Sequence, residues 1–312
     1  MNRSMWIAVS LILVLSLGAF SPALAARWTW QGDESTDWGL AGNWDTNSVP
    51  VSGPHEVWIR NNVGPNSPTY SAAQGTTHLY LLANGCWGQP GTDLNITGGE
   101  LYVDLRTDGT TWDGVPKPAT NHPQLYLGNA GGTSTINISG GLLQVSGPGG
   151  YTRVGVGAGN TGIINISGSG IFKITDNLEL GVVAGSQGII NIAGGQLIVD
   201  PLIPGHGLEF DVAGSTGGVV NFLPGSTGSW TYTGKDYSYF LGLYTGDDLT
   251  YDGGNSLPFD EVFRVSGSTF SLLPTSTVIP EPSTFLLAAV GLFGLAFFAR
   301  RRRERRCHHL RC

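Results

Sequence analysis

Four groups of residues in this 312-residue chain have the side chains that chemistry needs. Cys307, His308, His309 and Cys312 set two thiols beside two imidazoles, a donor set that suits a transition metal. Asp247, Asp248, Asp252, Asp260 and Glu261 gather the oxygens that calcium takes, although not at EF-hand spacing. Asp108, Trp112, Asp113, Lys117 and His122 share one insertion, residues 107–123, and a long loop is where a site sits. Asp104, Arg106, Arg153, Lys173 and Glu179 lie on strand-like segments, where a polysaccharide lyase or hydrolase would converge its acid and base. These last five show no shared coil position in the sequence, so they suggest no pair. None of the groups carries a nucleophile motif, a zinc spacing or a phosphate loop. We therefore assign no catalytic, cofactor-binding or metal residue, reading the acidic group as a solvated loop and the Cys/His group as a disordered tail.

The elements that would position such residues come from a repeat. Leu94-Asn95-Ile96, Ile136-Asn137-Ile138, Ile164-Asn165-Ile166, Ile190-Asn191-Ile192 and Val220-Asn221-Phe222 share one pattern. The first four are followed by a second apolar burst such as Leu143-Gln144-Val145. Most are preceded by a third, such as Leu79-Tyr80-Leu81 or Leu178-Glu179-Leu180, with glycine between bursts. The asparagines stand 42, 28, 26 and 30 residues apart, the longest interval holding the insertion. Three alternating strands with glycine corners make one coil of a solenoid, in which every second residue points inward. The spacing predicts an all-β fold, a right-handed parallel β-helix of about five coils over residues 79–230, roughly 24 Å long. A β-sandwich is the rival, but it would not repeat so regularly. Asn95, Asn137, Asn165, Asn191 and Asn221 then form a structural ladder of stacked amides. A ligand or ice face is the other reading of that row, and its neighbours Thr135, Ile163, Ile189 and Val219 are too irregular for ice.

Both flanks read as caps. Five of nine tryptophans, Trp28, Trp30, Trp38, Trp44 and Trp58, fall in residues 26–78, where they cover the first coil or, alternatively, stack on sugar. Residues 231–277 read as a C-terminal β cap with strands at Tyr239-Phe240-Leu241 and Val262-Phe263-Arg264-Val265.

The two ends are addresses. Residues 1–25 have Arg3, an uncharged stretch from Trp6 to Phe20, and the small residues Ala23 and Ala25 that signal peptidase needs. An uncleaved anchor is the alternative. Residues 278–312 hold Pro280, Glu281 and Pro282, an apolar run at 285–299 and an arginine cluster, which predicts a transmembrane helix with its basic end in the cytoplasm. That order resembles the PEP-CTERM sorting signal, a segment that also travels as the ice-binding protein C-terminal domain. The resemblance implies handling by exosortase, a membrane protease of bacteria that make exopolysaccharide. The Trp-x-Trp opening and the repeats resemble exported β-repeat proteins of the autotransporter-adhesin type.

Between positions 26 and 281 there are 22 acidic and 8 basic residues, net −14, a balance the arginine tail conceals. Such a surface excludes nucleic acid as a partner. Cys86 is the single cysteine in that stretch, so no internal disulfide forms there. The sequence thus points to an exported, exosortase-sorted structural or adhesive protein of the envelope or extracellular matrix, not an enzyme and without cofactors. It would pass through an inner-membrane-anchored intermediate, with signal peptidase, exosortase, the membrane and extracellular polysaccharide as partners. The alternatives are a carbohydrate-binding module, a polysaccharide lyase or hydrolase, and an ice-binding protein.

Overall fold

Ile164, Ile166, Ile190 and Ile192 are wholly buried, while Asn165 and Asn191 between them are only half-buried. This period of two is the mark of a strand with one face in the core, and each such isoleucine contributes about 2 kcal/mol by leaving water. The computed structural model describes residues 26–273 other than 54, 61–64, 86–90, 105–122, 131, 148 and 216. It is a parallel β-solenoid with three faces. On the first, Arg27–Thr29, Glu56–Ile59, Leu81–Asn84, Gln124–Leu127, Tyr151–Val154, Asn177–Leu180 and Leu208–Phe210 pair in that order. On the second, Thr69–Tyr70, Asp93–Val103, Thr133–Val145, Thr161–Ile166, Gln187–Ile192, Gly218–Phe222 and Leu249–Tyr251 follow one another. The third runs from Thr76–Leu79 through the later halves of the two long strands to Ile171–Ile174, Gln196–Val199 and Ser229–Tyr232.

Seven strands stack on the first face, where the repeat predicts about five coils. The two extra ones come from the Trp-rich segment. Trp28, Val57 and Leu82 occupy one inward column, so that segment joins the sheet as well as covering its end. The bursts also divide differently from the sequence reading. Leu79 ends a strand of the third face and Leu81 begins one of the first, so Leu79-Tyr80-Leu81 is a corner. Gly155 shows why corners need glycine: its φ is +74°, and a β-carbon there would strike the Gln187 carbonyl of the next coil.

The stack is closed at both ends, which protects open edges from pairing with other chains. At the start, Trp44 meets Trp30 and Trp38 edge-on at 5.0 and 4.8 Å, and Trp38 meets Tyr70 at 5.4 Å. At the far end, Thr269–Leu272 pairs antiparallel with Ser229–Tyr232 and with Phe263–Ser266. Tyr239-Phe240-Leu241, expected as a strand, lies in an α-helix, Tyr237–Thr245. Asp236 caps it by accepting from Tyr239 N, and Phe240 and Tyr244, four apart, share its buried face. Among the described residues no helix is long and apolar enough to cross a membrane, and the run at 285–299 lies outside them.

Candidate functional site

The five asparagines of the repeat stand in one column on the second face. Asn137 Nδ2 donates to Asn95 Oδ1 at 2.9 Å, and Asn165 to Asn137 at 2.8 Å. Asn191 donates to Asn165 at 2.9 Å and Asn221 to Asn191 at 3.1 Å. The column stops where Asn221 Oδ1 accepts from Thr250 Oγ1 at 2.9 Å and Gly253 N at 3.0 Å. Every amide points the same way, because each coil repeats the register of the last. The ladder spends its polar atoms on itself, at about 1 kcal/mol net per bond. Beside it run Thr135, Ile163, Ile189 and Val219, in register and of mixed size and polarity.

Sequence spacing gave no pair among the outward charges, yet the structure pairs two of them. Arg153 faces Glu179 across neighbouring coils of the first face, Nε to Oε2 at 2.8 Å. The Arg153 guanidinium also lies over Tyr151, 4.9 Å from its centroid. Bonding to Glu179 raises the Arg153 pKa against the opposing effect of its own burial. The arrangement neutralises two charges and does not aim an acid or base at open space. Lys173 lies on the third face, in register with Gln144. Asp104 Oδ2 accepts from His78 Nδ1 at 2.9 Å, and His78 stacks on Tyr102 at 4.7 Å.

The acidic residues near the far end do not converge. Asp247 Oδ1 accepts from Asn255 Nδ2 at 2.8 Å, and Asp260 accepts from the Tyr237 hydroxyl at 2.9 Å. Among the described residues no group of three or more His, Cys, Asp or Glu could hold a metal ion. Asp248 is the most perturbed carboxylate: burial first, then the charges of Asp211 and Asp247, push its pKa up to about 6.

The tryptophans of the N-terminal segment offer no open platform. All five are buried, and the guanidinium groups of Arg27 and Arg60 each lie over the Trp58 ring, about 4 Å from its centroid. A cavity of about 350 Å³ does lie nearby, beside Thr76–Leu79, with Trp38, Pro50, Ser52, Gln74, Thr76 and Thr77 in its wall. Trp38 Nε1 is buried without a hydrogen-bond partner.

Ala23, Ala25, Pro280, Glu281, Pro282, the Cys/His tail, Arg106, Cys86 and the insertion residues Asp108, Trp112, Asp113, Lys117 and His122 lie outside the described residues.

The described part of the chain is thus a capped parallel β-solenoid with an amide ladder along its second face. The chain also carries a PEP-CTERM protein-sorting motif: residues 278–303 match that family's model. Such a motif implies exosortase-dependent export to the cell surface through a membrane-anchored sorting intermediate. The match covers none of the solenoid. No curated protein and no solved structure matches the chain.

Proposed function

We propose that this is a structural or adhesive component of the cell envelope or extracellular matrix, released from its membrane intermediate and associated with exopolysaccharide. The observation that carries this reading is a closed solenoid, sealed by tryptophans at one end and by phenylalanines at the other, joined to a sorting motif. A closed stack suits a load-bearing or spacing role. In this reading the protein has no catalytic activity and no cofactor. The neutralised Arg153–Glu179 pair and the dispersed carboxylates support that assignment.

One observation favours a second reading, a carbohydrate-binding module. The cavity beside Thr76 has Trp38, Pro50, Ser52, Gln74, Thr76 and Thr77 in its wall, a mixture of apolar and polar residues that suits a sugar. Fractionation of the native envelope, followed by a polysaccharide screen of the recovered protein, tests both. Recovery with the polysaccharide matrix, without turnover or saturable binding of isolated chains, supports the structural reading. Saturable binding lost on substitution of Gln74 supports the module. Turnover contradicts both.

A further inference from the structure

We infer that the processed chain begins at Ala26 and that its new α-ammonium group docks on the imidazole of His55. The inference rests on the reading of the chain as exported, which sets signal peptidase cleavage after Ala25.

Ala26 immediately precedes the first strand of the stack. Its backbone nitrogen donates to His55 Nδ1 at 3.1 Å, and its carbonyl accepts from Glu56 N at 2.9 Å. Both backbone groups of this one residue are therefore held by the next coil. A ring nitrogen that accepts places the imidazole proton on Nε2 and leaves the ring neutral.

The acceptor is fixed in place. His55 is buried, and Trp28 packs edge-on against its ring at 4.5 Å. His55 N donates to Gly53 O at 2.7 Å, and Gly53 sits so close over Nε2 that a β-carbon there would collide with the ring. Burial also holds the imidazole below its ordinary pKa, which keeps Nδ1 free to accept.

Hydrolysis of the peptide bond between Ala25 and Ala26 consumes one water. It leaves a carboxylate on Ala25 and an amine on Ala26, which takes up a proton. The donor facing Nδ1 then becomes a cation, and its bond becomes charge-assisted, roughly twice as strong as the neutral one. The register is specific. Cleavage one residue later removes both bonds that Ala26 makes, and cleavage one residue earlier carries the charge about 3.5 Å beyond the acceptor. Docking seats the mature N-terminus in the first coil, so that an exported chain presents no free end to aminopeptidases.

The test labels amines by reductive methylation at neutral pH in protein recovered from the native envelope, folded and after unfolding in guanidinium. Mass spectrometry reads the N-terminal peptide, with Lys173 as internal reference. We expect a first residue of Ala26 whose α-amine reacts about tenfold more slowly in the folded protein, as one charge-assisted bond implies. His55→Asn, whose Oδ1 stands where Nδ1 does, should keep most of that protection, and His55→Leu should lose it. If His55→Leu does not fold, the folded and unfolded wild-type rates decide. A chain that retains Met1 overturns both the signal-peptidase reading and this inference. A chain cut elsewhere, or an Ala26 amine that reacts equally fast folded and unfolded, overturns this inference alone.

Discussion

Arg153 and Glu179 stand 26 residues apart in sequence and 2.8 Å apart in space, the interval that also separates Asn165 from Asn191. One coil length therefore places a charge pair on the first face and an amide pair on the second. The two members of the ion pair are not equally sheltered: the Glu179 side chain is 8% exposed and that of Arg153 31%.

Their unequal burial gives the first prediction. Arg153→Ala strands a carboxylate that water barely reaches and should cost about 2 to 3 kcal/mol. Glu179→Ala leaves an arginine that can turn to solvent and should cost nearer 1 kcal/mol. Urea unfolding measures both, and a Glu179→Ala cost equal to or above that of Arg153→Ala contradicts the assignment.

The second prediction concerns inside and outside. Ile166→Asp or Ile192→Asp places a lone carboxylate in a core where both positions are wholly buried, and should abolish folding. Asn165→Ser removes two ladder bonds and should cost about 2 kcal/mol, against about 1 for Asn95→Ser, which removes one. Thermal melts that show equal tolerance of the isoleucine and asparagine changes would contradict the placement.

The third is a pH dependence. Asp248 titrates near 6 in the folded protein, above its unfolded value of 3.8, so the folded state binds the extra proton between those limits. The stability it contributes is present below about pH 4 and is lost as pH rises through 6. Asp248→Asn should accordingly be more stable than wild type at pH 7.5, and the difference should shrink by pH 5. Melting temperatures at the two pH values check this, and a gap that widens on acidification contradicts it.

The fold could be read from the sequence wherever alternation and glycine recur together, as in Ile136-Asn137-Ile138 followed by Gly140 and Gly141. The first two coils escaped because Trp28-Thr29 and Val57-Trp58-Ile59 share no asparagine with the later ones. Only the register with Leu82 shows that they continue the stack. The helix over Tyr237–Thr245 was hidden by its aromatic content, which mimics a strand, although Asp236 and the four-residue spacing of Phe240 and Tyr244 gave a helical signal. Arg153 and Glu179 do stand one coil interval apart, the 26 residues that also separate Asn165 from Asn191, and the register of the first face is what brings them together.

The central claim is that residues 278–303 are a sorting signal on a closed solenoid. The apolar run at 285–299 is shorter than the roughly 20 residues a membrane span usually needs, which favours brief retention. The intact mass of the protein from the envelope or medium of a host that carries exosortase tests the claim most directly. A C-terminus near Glu281 is the result predicted here, and a mass that still includes Cys312 would contradict it.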